Sequence, residues 1–154
     1  MVLLFREVLA NIPYYNSMAR KGERSKYTVR DLRTKLRNDK YSVVVARDKS
    51  GLLGFAFSHF DDYLIWIDWL AVNPTSRRLG VGSLIIRKVI KTSSERRAHK
   101  IWCDTRSTNE PAKLTLRKNG FREIAVVRNH WYGQDFILWE RPVQTAKRTH
   151  HPAG

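Results

Sequence analysis

The chain of 154 residues contains a single cysteine, Cys103, and only five histidines. An intramolecular disulfide is therefore impossible, which excludes a small secreted scaffold held together by disulfides. The histidines show no metal-ligand spacing, and His150 and His151 lack a third ligand nearby, so we expect no metal. A lone cysteine is typical of a reducing compartment, and we expect the protein to be cytoplasmic.

Long apolar runs are also missing. No segment approaches the roughly 20 consecutive apolar residues that a membrane span requires. The first residues, MVLLFREVLANIP, place Arg6 and Glu7 too early for the apolar core of a signal peptide. We therefore expect no membrane partner.

Acidic residues are scarce relative to basic ones. The chain has 14 Asp and Glu against 29 Lys and Arg, a formal net charge of +15. Such a surplus favours anionic partners. The basic residues are spread along the chain and no recognised nucleic-acid motif accompanies them. We therefore expect steering of a polyanionic ligand, and not sequence-specific nucleic-acid binding.

The periodicity of the chain predicts one α/β domain. With 42% hydrophobic and 11% aromatic residues, the composition is that of a folded core. From residue 28 the pattern indicates a helix, three strands, a helix, a strand, a helix and two strands. These elements are assigned to residues 28–39, 41–47, 52–60, 63–72, 79–97, 100–106, 109–121, 122–131 and 135–142. Residues 2–24 fit a short strand, a helix or two short helices.

The segment AVNPTSRRLGVGSLIIRKV, residues 71–89, has the character of an anion site. A strand end is followed by Arg77, Arg78, Gly80 and Gly82, and then by an amphipathic helix. A helix N-terminus has unpartnered N–H groups and a partial positive charge, and glycines allow an anion to approach that backbone. The Gly-Lys-Ser/Thr ending of a mononucleotide loop is absent, and Ile85 stands where a dinucleotide fingerprint needs its third glycine.

Three segments together resemble the GCN5-related N-acetyltransferase (GNAT) superfamily. They are the Arg-x-x-Gly-x-Gly motif at 77–82, the preceding IDWLAVNP and the later NEPAKLTLRKNGF. The resemblance runs from about Tyr41 to Pro142. It implies a single GNAT-like α/β (α+β) domain, residues 1–142, with a mixed central sheet, a splayed central strand and flanking helices. Residues 143–154 are expected to form a basic, disordered tail.

The resemblance also implies a reaction. Acetyl-CoA is the implied cosubstrate, and the acetyl group passes to a primary amine by direct attack in a ternary complex. The amine belongs either to a small molecule or to a protein N-terminus. A basic nucleic-acid-associated domain and a non-catalytic acyl-CoA-binding domain are the competing functions, and a homodimer is left open.

The coenzyme contacts follow from the matched positions. Free backbone groups at the end of the central strand would pair with the pantetheine arm, and amides of the glycine loop would hold the pyrophosphate. The alternative role of Gly80 and Gly82 is to form a tight turn, and the alternative role of Asn109 is to cap a helix. The contacts are assigned to Leu70, Ala71, Val72, Arg77, Arg78, Leu79, Gly80, Val81, Gly82, Ser83 and Asn109.

The catalytic residues are assigned in the same way. The N–H of Val72 matches the usual oxyanion donor, and Asp68 matches an acidic residue that serves many members as the base. Strand alternation predicts Trp66, Asp68 and Leu70 on one face, where partial desolvation would raise the pKa of the aspartate. The alternative role of Asp68 is an ion pair with an arginine.

The general acid departs from the family pattern. The tyrosine that members often carry in the later helix is replaced by Leu116, which has no proton to donate. Tyr132 and Tyr63 are the alternative donors, or the thiolate leaves without help; an amphipathic residue at the rim of the site is the other interpretation of Tyr132. The acceptor is expected to meet residues 14–26 and 129–134. Cys103 lies in a predicted core strand, which indicates an inert thiol.

Overall fold

The structure is a computed structural model that describes residues 1–144. A six-stranded mixed sheet carries helices on both faces, which confirms the predicted fold. The helices are α1 (Val2–Asn11), α2 (Ser17–Lys26), α3 (Val29–Asn38), α4 (Val81–Glu95) and α5 (Glu110–Lys118). The strands are β1 (Val43–Asp48), β2 (Gly51–Asp61), β3 (Leu64–Val72), β4 (Lys100–Arg106), β5 (Arg122–Val127) and β6 (Phe136–Pro142), in the spatial order β1-β2-β3-β4-β6-β5.

The N-terminal region forms two helices and no strand. In α1, Leu4, Phe5, Val8 and Leu9 are buried, a spacing that places them on one helical face. They pack with Phe55 and other residues of β2 into one of the two core clusters. MVLLF is therefore part of a helix and not the short strand that the sequence also allowed, because these apolar residues follow the helical period.

The start of α3 follows the sequence prediction. The Thr28 hydroxyl accepts a hydrogen bond from the N–H of Asp31, and the Asp31 carboxylate accepts one from the N–H of Thr28, which completes a capping box. The predicted apolar face is only partly buried. Leu32 is in the core, whereas Val29 is 51% exposed and Leu36 is 40% exposed.

The second core cluster lies on the opposite face of the sheet, under α4 and α5. Ile85 and Val89 of α4 are buried there and Ile90 is half-buried, as predicted. The helical period in the sequence predicts that Leu84 also faces the core, but Leu84 is 52% exposed. Its neighbours Ile85 and Ile86 occupy the buried positions instead, because the helix presents that turn to the sheet through them.

The two central strands part halfway along their length. β3 and β4 are parallel, and they pair only from Leu64 with Lys100 to Ile67 with Cys103. Beyond that pair, β3 continues to Val72 and β4 to Arg106 without pairing to each other. The central strand is therefore splayed, as the resemblance implied.

A β-bulge lies at the same point. Phe57 of β2 pairs with Trp69, and the next residue of β2 pairs with Ile67, so Asp68 is the extra residue. The bulge changes which side each later residue faces. Leu70 packs against the cluster under α4, whereas Asp68 contacts Lys35 of α3 on the other face. The prediction that Asp68 and Leu70 share a face is therefore wrong, because simple alternation ignores the extra residue.

The end of the sheet includes residues beyond the predicted domain limit. Val143 is buried, and its N–H donates to the carbonyl of His99 at 2.9 Å. Residues 145–154 of the predicted tail lie outside the described residues. None of the helices within residues 1–144 has both the length and the apolar character that crossing a membrane requires.

Candidate functional site

The end of β3 directs backbone groups into the gap between the parted strands. The N–H of Asn73 donates to the carbonyl of Leu53 on β2 at 2.7 Å. Hydrogen-bonding direction alternates along an antiparallel ladder, so the N–H and C=O groups of Val72 and Leu70 point away from β2. Ala71 differs from the sequence expectation, because the same alternation turns its backbone groups towards β2.

The loop after β3 has the backbone shape of an anion cradle. Arg78 and Gly80 have positive φ angles of 62° and 78°. Gly80 is the N-cap of α4 and provides no side-chain cap, so the first-turn N–H groups have no partner from the helix itself. Arg77 and Arg78 are exposed, and neither forms a salt bridge within residues 1–144. This loop and the first turn of α4 therefore combine free donors with positive charge.

Gly82 lies in the first turn of α4 where space is limited. A Cβ atom at this position would meet Thr115 at 3.5 Å and Val72 at 3.7 Å, which is ordinary contact. A larger side chain would add atoms beyond these contacts in the first turn of α4. The neighbouring Ser83 is buried, and its hydroxyl accepts a hydrogen bond from Asn119 at 2.9 Å. Leu79 is 74% exposed at the rim of the loop.

Asn109 has the helix-cap role. Its side-chain oxygen accepts a hydrogen bond from the N–H of Ala112 at 3.3 Å at the start of α5. Its side chain also acts on the hydroxyl of Tyr14, where a hydrogen bond works to lower the pKa. Asn109 therefore lies between the end of β4 and the turn that joins α1 to α2.

Asp68 is held by two partners that carry or accept positive charge. One carboxylate oxygen is 3.1 Å from Nζ of Lys35, and the other is 2.8 Å from Nδ1 of His59. The hydrogen bond that His59 makes to the Asp68 carboxylate raises the pKa of His59. The alternative role foreseen for Asp68, an ion pair, is thus present, with a lysine and a histidine instead of an arginine.

Asp104 occupies the matching position on β4, the first residue after the strands part. One carboxylate oxygen accepts a hydrogen bond from Nε1 of Trp131 at 2.8 Å. Burial raises the pKa of Asp104, although this hydrogen bond and the charges of His130 and Arg106 act in the opposite direction. Within residues 1–144 it forms no salt bridge. Asp104 is therefore a half-buried carboxylate whose proton affinity is increased.

The two segments expected to meet the acceptor do lie against each other. The amide of Asn16 donates to the carbonyl of Tyr132 at 3.0 Å, and the amide of Gln134 donates to the carbonyl of Tyr14 at 2.8 Å. The turn at Trp131–Gly133 is thereby fixed onto the α1–α2 connection. Tyr132 has a positive φ angle of 57°, which turns its side chain towards α2.

A buried glutamate links these segments to the sheet. Glu23 of α2 is 8% exposed, and its carboxylate accepts hydrogen bonds from the Tyr132 hydroxyl at 2.7 Å and from Nε1 of Trp69 at 2.8 Å. Lys26 lies 3.2 Å from both Glu23 and the Tyr132 hydroxyl. Burial raises the pKa of Tyr132, and the hydrogen bond to Glu23 adds to that effect.

Arg106 forms the floor between the two segments. Its guanidinium stacks 3.5 Å from the ring centre of Tyr15, and Nε donates to the side chain of Gln134 at 2.7 Å. Burial raises the pKa of Tyr15 to about 12. Burial also raises the pKa of Tyr14, against the charges of Arg106 and Arg77. The pKa of Tyr14 is therefore influenced both by Arg77 of the glycine loop and by Arg106, which lies on the acceptor side, between residues 14–26 and 129–134.

Three residues discussed from the sequence, Leu116, Tyr63 and Cys103, lie where they do not take part in proton transfer. Leu116 is 4% exposed in the core cluster under α4 and α5. Tyr63 lies at the β2–β3 turn, the other end of β3 from Val72, about 30 Å away at the usual rise per residue. Burial raises the pKa of the Cys103 thiol far above its usual value, so the inert assignment agrees with the structure.

Sequence reasoning missed Glu23, Asp104 and Arg106. Asp104 and Arg106 alternate along β4 and so face the same side, which was a readable signal in KIWCDTR. No such signal existed for Glu23. It lies in a segment without a clear element prediction, and its partners Trp69 and Tyr132 are distant in sequence.

Sequence comparisons identify the relatives of this chain. A family model described as the acetyltransferase (GNAT) family matches residues 9–121. An N-alpha-acetyltransferase of Sulfurisphaera tokodaii is 34% identical over 77 residues, which cover 48% of this chain and 46% of that protein. The match therefore spans about half the length of the relative.

Solved structures share the fold. The ribosomal-protein-S18-alanine N-acetyltransferase from Escherichia coli superposes with a TM-score of 0.70 at 16% identity, over 96% of this chain and 91% of that one. A chain of the NatC complex bound to Gag peptide and CoA superposes with a TM-score of 0.74 at 15% identity, over 93% and 91% of the two chains. At these identities the likeness concerns the fold alone.

Proposed function

The chain belongs to the acetyltransferase (GNAT) family, and from this premise we propose that it is an acetyl-CoA-dependent N-acetyltransferase whose acceptor is the α-amine of a polypeptide. The observation that carries the proposal is the position of Asp104. A carboxylate with a raised pKa, which forms no salt bridge within residues 1–144, lies beside the Trp131–Gly133 turn at the point where the strands part.

The coenzyme would be held by groups that fit a pyrophosphate and an amide-containing arm. The first-turn N–H groups of α4 and the charges of Arg77 and Arg78 suit the pyrophosphate. The backbone groups of Leu70 and Val72 suit the arm, because they point into the gap as those of an unpaired strand edge do. When bound, the thioester supplies the activated acetyl group.

The reaction requires a base, because an amine acceptor is mostly protonated at neutral pH. We assign this role to Asp104, since its raised pKa increases its affinity for the ammonium proton. Asp68, the candidate from the sequence, is the competing assignment. Its carboxylate is engaged by Lys35 and His59, which leaves it less free to take a proton.

The N–H of Val72 would donate to the acetyl oxygen as negative charge develops there. It points into the gap at the end of β3, next to the loop that would hold the coenzyme. A fixed backbone donor of this kind stabilises an oxyanion without reorganisation. This preserves the role that the sequence assigned to Val72.

Tyr14 is our candidate for the proton donor to the departing thiolate. It would take the role of the family tyrosine, because Leu116 at that position has no proton to donate and is buried in the core. The Tyr14 side chain is influenced by both Arg77 and Arg106, so it lies between the two halves of the site. Tyr132, the earlier candidate, already donates its hydroxyl proton to Glu23.

The choice of a polypeptide acceptor has separate support. The relative from Sulfurisphaera tokodaii is an N-alpha-acetyltransferase. Of the two structures described above, one is a ribosomal-protein-S18-alanine N-acetyltransferase and the other is a complex bound to a peptide and CoA. In this chain, aromatic side chains of Tyr15, Trp69 and Trp131 surround the carboxylates of Glu23 and Asp104. Such a site suits a cationic amine that enters beside apolar groups.

The test follows release of free thiol from acetyl-CoA. Peptides with a free α-amine should be acetylated, whereas the same peptides with a blocked α-amine but a free lysine should react far more slowly. A panel of polyamines and aminoglycosides measures small-molecule acceptors in parallel. If the coenzyme binds but no amine in the panel releases thiol, the protein is a non-catalytic acyl-CoA-binding domain and the proposal fails.

A further inference from the structure

Helix α2 has two faces with different chemistry. Ala19 and Glu23 are buried towards the sheet, and Lys26 contacts the Trp131–Gly133 turn. The opposite face presents Ser17, Lys21, Arg24 and Ser25, at the spacing of a single helical stripe. The stripe therefore lies about one helix diameter, roughly 10 Å, from the acceptor side.

This outer stripe lines an open cavity of about 590 Å³ between α1 and α2. The lining carries four cationic side chains, two hydroxyl groups and no carboxylate. Its members are Arg6, Ser17, Arg20, Lys21, Arg24 and Ser25.

Arg20 is fixed at the base of the cavity. Its guanidinium donates to the carbonyls of Leu9 at 2.6 Å, Ala10 at 2.7 Å and Ile12 at 2.8 Å, at the C-terminal end of α1. The charge is thereby held in place without a carboxylate. This makes the base of the cavity a preorganised positive site.

The remaining cations are free. Arg6, Lys21 and Arg24 are exposed and form no salt bridge within residues 1–144. Like charges three and four residues apart on one helix repel each other, so this clustering is unfavourable unless an anion neutralises it. Lys26 on the other face of α2 is paired with Glu23, which shows that the helix supplies a carboxylate only to that side.

We propose that this cavity binds the phosphates of a nucleic-acid backbone. A free guanidinium group pairs with phosphate oxygens through two parallel hydrogen bonds, and the Ser17 hydroxyl adds a further donor. Arg6, Lys21 and Arg24 supply the free donors, whereas Arg20, whose N–H groups are engaged by α1 carbonyls, supplies fixed positive charge. The net charge of +15 extends the same field beyond the cavity.

A lipid surface fits this site less well. A helix that lies on a membrane needs a continuous apolar face beside its basic residues. In α2 the one large hydrophobic residue that is strongly exposed is Met18. Phosphates without an acyl layer therefore suit the surface better.

The experiment measures binding of a fluorescent single-stranded RNA of mixed sequence by anisotropy at several salt concentrations. The double variant Lys21→Gln/Arg24→Gln should reduce the slope of log affinity against log salt by about 1.4, because each phosphate contact contributes about 0.7. Affinity near 0.1 M salt should fall about tenfold or more. The control, Arg47→Gln/Lys49→Gln, removes the same charge from the exposed β1–β2 hairpin and should change binding by less than about twofold.

Two further measurements decide the assignment. Poly-glutamate and vesicles of anionic lipid should bind more weakly than RNA; equal or tighter binding of either, lost in the same variant, overturns the nucleic-acid assignment. Equal loss of RNA binding in both double variants, or no RNA binding by the wild type, overturns the site. Acetylation of a free peptide by the wild type, measured without RNA, tests the proposed activity by itself, so a failure of this inference is distinguishable from a failure of the proposed activity.

Discussion

The ends of β3 and β4 separate at the same step, and each carries an aspartate as its first residue beyond the parting. On β3, Asp68 is the extra residue of a bulge, with Lys35 and His59 against its two oxygens. On β4, Asp104 receives one hydrogen bond, from Trp131, and has a raised pKa. The two carboxylates have the same chemistry and equivalent positions in the sheet, yet different surroundings.

The difference shows how the helices divide the roles of the two strand ends. Helix α3 brings Lys35 over β3 and neutralises Asp68, which ties that helix to the sheet. The Trp131–Gly133 turn covers β4 with an aromatic side chain, which desolvates Asp104 without neutralising it. Burial with a cation stabilises the charged form, and burial without one favours proton uptake. The first arrangement suits structure and the second suits proton transfer.

Exchange of each aspartate for asparagine tests this difference most directly. We expect Asp104→Asn to reduce kcat/KM by about a hundredfold to ten-thousandfold, because the proton acceptor is lost. The loss of kcat/KM in Asp104→Asn should become smaller as pH rises, because more of the amine is then already neutral. In the wild type, activity should fall as pH decreases through the pKa of Asp104, which lies above the usual aspartate value.

Asp68→Asn is the matched control. It should keep activity at every pH and lose stability by about 1–3 kcal/mol, because Lys35 and His59 lose a charged partner. Asp104→Asn should not be destabilised, since it removes a desolvated charge. A large rate loss in Asp68→Asn with an active Asp104→Asn would return the base to the position assigned from the sequence.

The coenzyme loop offers the next largest effect. Gly82→Val should weaken acetyl-CoA binding about tenfold to a hundredfold, because the added atoms extend from the first turn of α4 and displace charge-assisted hydrogen bonds. Gly82→Ala should have a smaller effect, since its Cβ makes only ordinary contacts. Isothermal titration measures both, with circular dichroism to confirm folding. Unchanged affinity in a folded Gly82→Val protein would exclude this loop as the coenzyme site.

Substitution of Tyr14 and of Tyr132 tests which of the two tyrosines is the proton donor. Tyr14→Phe should lower kcat about tenfold or more if it protonates the thiolate. Tyr132→Phe should raise KM for the peptide by about twofold to tenfold with little change in kcat, since it removes a positioning hydrogen bond to Glu23. The split between kcat and KM is the readout. The opposite pattern would make Tyr132 the donor.

The smallest expected effect on activity concerns Glu140, a carboxylate that lies away from the point where β3 and β4 separate. Glu140 accepts hydrogen bonds from Trp102, Arg122 and Lys100, which lower its pKa to about 2. A lowered pKa means that its stabilising effect is present above the unfolded value and is lost as pH falls towards 2. Glu140→Gln should therefore be destabilised by about 1–3 kcal/mol at neutral pH, with normal kcat. Denaturant unfolding should show the difference disappearing between about pH 4.5 and pH 2; a constant difference would contradict the role of the charge.

Much of the fold was predictable because local rules dominate it. The capping box at Thr28 and Asp31, the turn at Gly120 and the helix start after Gly80 all depend on residues close in sequence. For residues 2–24 the sequence left a strand and one or two helices open. The reason is that α1 and α2 gain stability from packing on β2 and on the Trp131–Gly133 turn, which are distant in sequence. The face of Leu70 was mispredicted because a bulge depends on the partner strand.

The glycine loop and the end of β3, where we propose that the coenzyme binds, were therefore readable from the sequence alone. Its donors are backbone groups, and glycine, arginine and proline positions in one short segment fix their geometry. The acceptor side was decided only by the tertiary structure. Glu23, Asp104 and Tyr132 come from α2, β4 and the turn before β6, and burial among them sets which carboxylate keeps its affinity for a proton. Burial and charge pairing depend on distances in space, and sequence spacing does not encode those distances.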